Sequence, residues 1–158
     1  MMLGFKRRFA PFVLDGSKRH TIRERRPRLG ETLHCYVDPR QKSMALLGRW
    51  RCTKVEDLFL RIGEPSRLTI NGVILSIDEA NAFAWRDGFR NSGPDGAFLE
   101  MQRYWAKPNR MMYAGYYVIH WDYDHPVERG ASKRTRRAPT EAPNPARTRE
   151  VKPPKGAV

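Results

Sequence analysis

The chain has 158 residues, with 30 Lys and Arg against 17 Asp and Glu, a net charge of +13, and two cysteines. That length gives one ordinary domain and some tail, enough to bury a core without disulfides or metal. Two thiols are too few for a secreted disulfide scaffold. No run approaches the roughly 18 consecutive apolar residues of a membrane span, and residues 1–10 lack the apolar stretch of a signal peptide. The expectation is a cytoplasmic protein, not membrane-associated, with Cys35 and Cys52 as buried thiols.

The charge is unevenly placed. Residues 1–30 hold nine basic side chains and two acids, residues 127–158 nine and three, and residues 31–126 are neutral. A neutral body flanked by two basic segments is the footprint of a polyanion partner, RNA or another nucleic acid, or else a solubilising surface. From residue 127 the chain is rich in Pro and charge and nearly devoid of large apolar residues. Such a segment cannot bury enough surface to offset its ordering entropy. The reading is therefore a domain over residues 1–126 and a disordered basic tail over 127–158.

In chain order, residues 9–15 predict a short helix with Pro11 in its first turn and Gly16 as the left-handed stop. Residues 18–23 are predicted extended and lead into a charged loop through Pro27 and Gly30. Residues 32–37 and 46–55 predict strands, the second anchored by Trp50 and Cys52. Leu68-Thr69-Ile70 and Val73-Ile74-Leu75 flank Asn71-Gly72, a pair that favours a type I′ hairpin. Ser76 or Asp78 is placed to cap a helix over 79–87, with Ala80, Phe83 and Ala84 inward and Gly88 as its stop. Asp95 or Ser92 is placed to cap a second helix through about Trp105. Residues 112–123, dense in aromatic and β-branched residues, predict a final strand. The sum is an α+β fold: a small mixed β-barrel or strongly bent sheet with about three short helices.

The candidate chemistry lies in Gly16-Ser17-Lys18-Arg19-His20-Thr21-Ile22-Arg23. Alternate residues of an extended chain share a face. His20 and Ile22 then point one way, and Arg19, Thr21 and Arg23 the other, with Lys18 arriving from the turn. If Ile22 marks the core side, a hydroxyl and two cations converge on a cleft suited to an anionic or carbonyl-bearing ligand; a charged surface strand is the alternative. Arg25 and Arg26 extend the positive segment, and Arg40 and Lys42, in the loop after the 32–37 strand, serve either a phosphate or solvent. Trp85 is the aromatic placed to reach the cleft and stack on a base, or to pack inside.

Lys18-x-x-Thr21-Ile22-Arg23, the preceding helix, the Gly30-Glu31 turn and the later Ala84-Trp85-Arg86-Asp87-Gly88-Phe89 together resemble ASCH domains of the PUA-like superfamily, in the form of the small bacterial and phage-type members. The resemblance runs from about Phe5 to Tyr123. It implies a PUA-like β-barrel whose cleft binds RNA or a modified nucleoside. Some members are amidohydrolases that deacylate N4-acetylcytidine with a lysine, a threonine and a glutamate, and by motif position these fall on Lys18, Thr21 and Asp87. On that reading Thr21 is the nucleophile, Lys18 its base and Asp87 the acid, with Arg23 beside the developing oxyanion. Asp87 is one methylene shorter than the family's glutamate, and a helix-terminal residue without a catalytic part is the other reading of it.

His34, Cys35, Cys52, His120 and His125 match no metal-ligand spacing, and no Gly-rich phosphate loop occurs, so neither metal nor cofactor is expected. No segment marks a protein partner.

Overall fold

An alternation of buried Leu3 and Phe5 makes Met2–Phe5 a strand (β1) where the sequence pattern predicts none. Described here is a computed structural model, covering residues 1–108 and 112–128. The predicted tail falls, from residue 129 onward, outside the described residues. Val127, one residue past the expected domain end, still donates its backbone N–H to Arg49 O at 2.8 Å.

A single 3₁₀ turn (Arg7–Phe9) leads into α1 (Ala10–Leu14), with Pro11 in its first turn and Gly16 following at φ +74°. The chain then enters β2 (His20–Arg23), β3 (Thr32–Val37) and β4 (Ala45–Arg61). β4 runs six residues past the end its apolar pattern predicts, because Glu56 and Asp57 interrupt that pattern without interrupting the ladder. Next come the hairpin β5 (Arg67–Ile70) and β6 (Val73–Ile74), with Asn71 at φ +49° and Gly72 at φ +81°, the two left-handed residues of the expected turn. The helices α2 (Ile77–Arg86) and α3 (Ala97–Trp105) follow, and β7 (Met112–Trp121) is the last strand.

Ser76 caps α2 in a reciprocal capping box with Glu79. The expected cap of α3 by Asp95 or Ser92 is not formed. A 3₁₀ turn over Pro94–Gly96 leads into that helix, and Asn81 Oδ1, from α2, accepts the Phe98 N–H at 2.9 Å. A tertiary neighbour supplies the acceptor that the local sequence was expected to provide.

All seven strands join one sheet around β4, which pairs with β3, β5 and β7. Register shifts at Thr53 and between Leu58 and Leu60 break the ladder to β7, and such bulges bend a strand that would otherwise span roughly 55 Å. The path β1-β3-β4-β7-β2 ends on β1 and β2, and no backbone ladder joins those two ends among the described residues. The Arg23 guanidinium crosses the gap instead, donating to Gly4 O at 2.6 Å. The fold is thus α+β with a seven-stranded sheet and three helices, and the barrel expected from the sequence is not closed by strand pairing. Trp50 stacks between Trp121 and Tyr123, its ring centroid 6.2 Å from the first and 5.6 Å from the second.

Gly16 carries a double constraint. Its φ is left-handed, and a Cβ there would lie 2.5 Å from the Tyr123 ring. The strain of that φ costs about 1–2 kcal/mol for an L-residue, and displacing Tyr123 would also break its hydroxyl's contact with Leu14 O. Gly16→Ala is expected to lower the thermal midpoint by several degrees in calorimetry, whereas Gly72→Ala, whose Cβ meets nothing, bears the φ strain alone and loses less.

Candidate functional site: a buried Lys18–Asp87 pair beneath an aromatic cavity

The turn after α1 places Lys18. Asp15 Oδ1 accepts the Ser17 N–H at 2.8 Å and the Ser17 hydroxyl at 2.6 Å, while the Lys18 N–H returns to Phe12 O at 2.8 Å. From there the lysine side chain runs inward to the C-terminus of α2, where Asp87 is the last turn's boundary residue and Gly88, at φ +98°, ends the helix. Lys18 Nζ donates to Asp87 O at 2.5 Å and contacts Asp87 Oδ1. A cation at a helix C-terminus also meets the negative end of its dipole. Asp87 is therefore both a helix-terminal residue and a partner of Lys18. The aspartate reaches because the helix end itself, main-chain carbonyl included, is brought to the ammonium.

Lys18 is 2 % exposed, Thr21 2 %, Asp87 5 % and His20 6 %. Burial pulls the Lys18 amine down to about 8, against the attraction of Asp87, which holds the proton on. Burial likewise raises the Asp87 carboxyl, opposed by Lys18 and Arg23. Both groups are driven towards their neutral forms by the same desolvation, so the pair shares one proton between amine and carboxylate.

A cavity of about 500 Å³ opens above the pair, within the range of small-molecule sites. Lys18, Thr21, Arg23 and Asp87 line one side, and Phe5, Phe9, Phe89, Tyr104 and Trp105 supply aromatic wall. Lys6 and Lys107 stand at the lining as well, and Asp38 does so already bonded to Arg7 at 2.7 Å. Four cations against two acids make the cavity electropositive. Arg23 spans it at the sheet's open seam, its other guanidinium nitrogen on Ile22 O at 2.7 Å and its charge over the Phe5 ring.

The remaining sequence candidates divide. His20 does not line the cavity; it stacks on Phe83 of α2 with centroids 4.8 Å apart, and its Nε2 lies 3.7 Å from Asp87 Oδ1. Burial and the Lys18 charge hold it well below the ordinary imidazole range, so it is neutral. Arg19 precedes β2 and escapes its alternation: it pairs with Asp124 at 2.8 Å and lies over Tyr123, away from Thr21 and Arg23. Trp85 packs against the core beside Arg90 and does not line the cavity. It is half-buried on the last turn of α2, whereas Asp87, two residues on, is buried against Lys18. Trp105 and Tyr104, from the end of α3, take the place expected for it. Arg25, Arg40 and Lys42 are exposed and also outside the lining, as is Arg26, which sits over Tyr117. Cys35 is buried, its thiol pushed up to about 12 by desolvation, and so is no nucleophile at neutral pH. Cys52 is buried as well.

No protein-family model, curated protein or solved structure matches the chain.

The Lys18 shift has a signed consequence. Between pH 8 and the ordinary value of 10.5 the unfolded chain binds the Lys18 proton and the folded chain does not, so stability attributable to Lys18 rises with pH across that window. Relative to Lys18→Met, the wild type should gain stability from pH 8 to 10.5 in denaturant titrations. Asp87→Asn removes the group that holds the proton, and a ¹⁵N titration of Lys18 should then find its midpoint below the wild-type value.

Proposed function

We propose that the cavity binds the base of a nucleoside, either free or within RNA. The observation that carries this reading is one cavity combining an aromatic wall with buried donors and an acceptor. A nucleobase requires that pairing: a flat π-face to stack and polar edges to satisfy. The electropositive lining suits a carbonyl edge and an adjoining phosphate. Resemblance to ASCH domains points the same way, and a strongly bent sheet with its end strands bridged by Arg23 is compatible with the PUA-like barrel that the resemblance implies. Under this reading the basic segments serve a nucleic-acid partner inside the cell.

One observation favours a second reading, hydrolysis of an acyl amide on the exocyclic nitrogen of an N4-acetylcytidine-like base. The Lys18 amine, pulled to about 8, lines the same cavity as the Thr21 side chain and is held by Asp87. In this chemistry the neutral amine takes the Thr21 hydroxyl proton as Oγ1 bonds to the acyl carbon. The Lys18–Asp87 pair then delivers that proton to the departing amino group as the C–N bond breaks. Water enters the emptied space and cleaves the acyl-threonine ester, releasing the carboxylic acid and restoring the hydroxyl. Arg23 lies on the cavity wall to steady the negative oxygen that forms at each step.

Isothermal titration with cytidine, N4-acetylcytidine and the other common nucleosides tests the binding reading. At least one should bind, and Trp105→Ala should weaken it by tenfold or more, the usual worth of one stacking partner; no heat with any nucleoside defeats the proposal. Chromatography of the same mixtures tests hydrolysis. Product is expected with the wild type, falling by about 10²–10⁴ in Lys18→Met, with the rate rising through an apparent pKa of about 8 as the amine loses its proton.

A further inference from the structure

A second depression, about 600 Å³, lies on the loop after β2 and the adjoining edge of β4, lined by Arg26, Pro27, Arg28, Leu29, Thr53 and Lys54 with Val55. Its polar groups are all cations or a hydroxyl; no acid lines it. Neither Arg26 nor Arg28 makes an ion pair or side-chain hydrogen bond among the described residues, Arg26 resting only on the Tyr117 ring. Acids stand at its margin: Glu56 pairs with the lining Lys54 at 2.7 Å, Glu31 accepts the Arg28 backbone N–H at 3.0 Å, and Glu24 contacts the Tyr116 hydroxyl. Among the described residues no carboxylate pairs with either guanidinium, and the counter-charge at the groove's margin is spent on Lys54. Leu29, 70 % exposed, adds an apolar surface to the groove. Thr53 is the extra residue of the β4 bulge, outside the ladder to β7.

The position of this groove gives it meaning. Arg23 lines the first cavity and Arg26 the second, three residues apart in one chain. Their Cα atoms are at most roughly 10 Å apart, the two long side chains extend that span, and a strand rising about 3.4 Å per stacked nucleotide needs several nucleotides to touch both. We propose that the Arg26–Arg28–Thr53 groove is a phosphodiester site for a single-stranded nucleic acid, a base of which, a few nucleotides along the strand, occupies the first cavity. The proposal rests on reading that cavity as a base site, and it makes the ligand a strand and not a free nucleoside. A guanidinium matches a phosphate with two parallel donors, which a concave site can hold at fixed spacing. A membrane surface would call for a protruding face, and this one is recessed.

The test measures the salt dependence of binding of a short single-stranded RNA, and of its DNA counterpart, to the full chain. Each phosphate neutralised on a single strand contributes about 0.7 to the slope of log K against log salt. Arg26→Gln with Arg28→Gln should therefore reduce that slope by about 1.4 for both RNA and DNA, leaving the affinity for a free nucleoside unchanged. An unchanged slope, or a loss confined to one of the two sugars, overturns the phosphodiester assignment. So does a loss that appears instead in binding to vesicles containing an anionic phospholipid. If no nucleoside binds yet the double variant loses slope, the base-site reading fails and the groove stands; if nucleosides bind and the slope is unmoved, the reverse holds. Because both arginines are surface residues, their circular dichroism should match the wild type, and Lys42→Gln, outside the groove, should retain the full slope.

Discussion

The contact between the Lys18 ammonium and the Asp87 carboxylate ties the turn after α1 to the end of α2, between the Phe9–Phe89 and His20–Phe83 ring contacts. An ammonium at 2 % exposure is tolerable only where another group replaces its water. Here a carboxylate and a main-chain carbonyl from the end of α2 do so. The requirement propagates outward. Gly16 must turn the chain after α1, Gly88 must stop α2 where the Asp87 carbonyl faces the lysine, and β2 must continue past Lys18 so that Thr21 lines the same cavity. Removing either charge alone would strand the other in a dry environment, so the pair behaves as one unit.

Behind the pair, the sheet register sets a row of polar groups. His20 of β2 lies opposite His120 of β7, and His120 opposite Lys54 of β4. His120 contacts Glu56 at 2.7 Å, and Glu56 in turn holds Lys54. Burial depresses both imidazoles, so the two rings, 5.3 Å apart, sit side by side uncharged. A charged His20 next to Lys18 would have repelled the ammonium; a neutral one stacked on Phe83 lets the helix close over it. The positive charge of the region is thereby concentrated on the cavity side, where Lys18, Arg23, Lys6 and Lys107 face the open space.

The sheet's incomplete closure serves the same end. A backbone ladder between β1 and β2 would fill the seam that the cavity occupies. Arg23 spans it with a guanidinium on Gly4 O and leaves room beside the bridge. The aromatic rings of Phe9, Phe89 and Tyr104, packed edge to face at 5.4–5.9 Å, form a wall with Lys6 and Arg8 over their faces. Stacking surface and positive potential thus meet in space, the cations from residues 6 and 8 lying over a ring of α3.

Local rules made much of this legible. The Asn71-Gly72 turn, the Ser76 cap, the Gly16 and Gly88 stops and the 32–37 strand each depend on residues a few positions apart, whose conformational preferences act before the chain folds. Lys18, Thr21 and Asp87 could be singled out because a motif resemblance linked them, not because periodicity did. What waited on the tertiary structure depends on distant partners. β1 exists because β3 pairs with it, and β4 outruns its apolar pattern because β5 and β7 extend the ladder. α3 starts against Asn81 of α2 instead of its own flanking side chains. Trp85 and Trp105 both read as aromatic residues of short helices, and only the packing of α2 against α3 decided that Trp105 reaches the cavity. The sequence by itself determined the turns, caps and charged segments; packing determined which side chains share a space, since burial and distance are properties of the whole chain and not of its neighbouring residues.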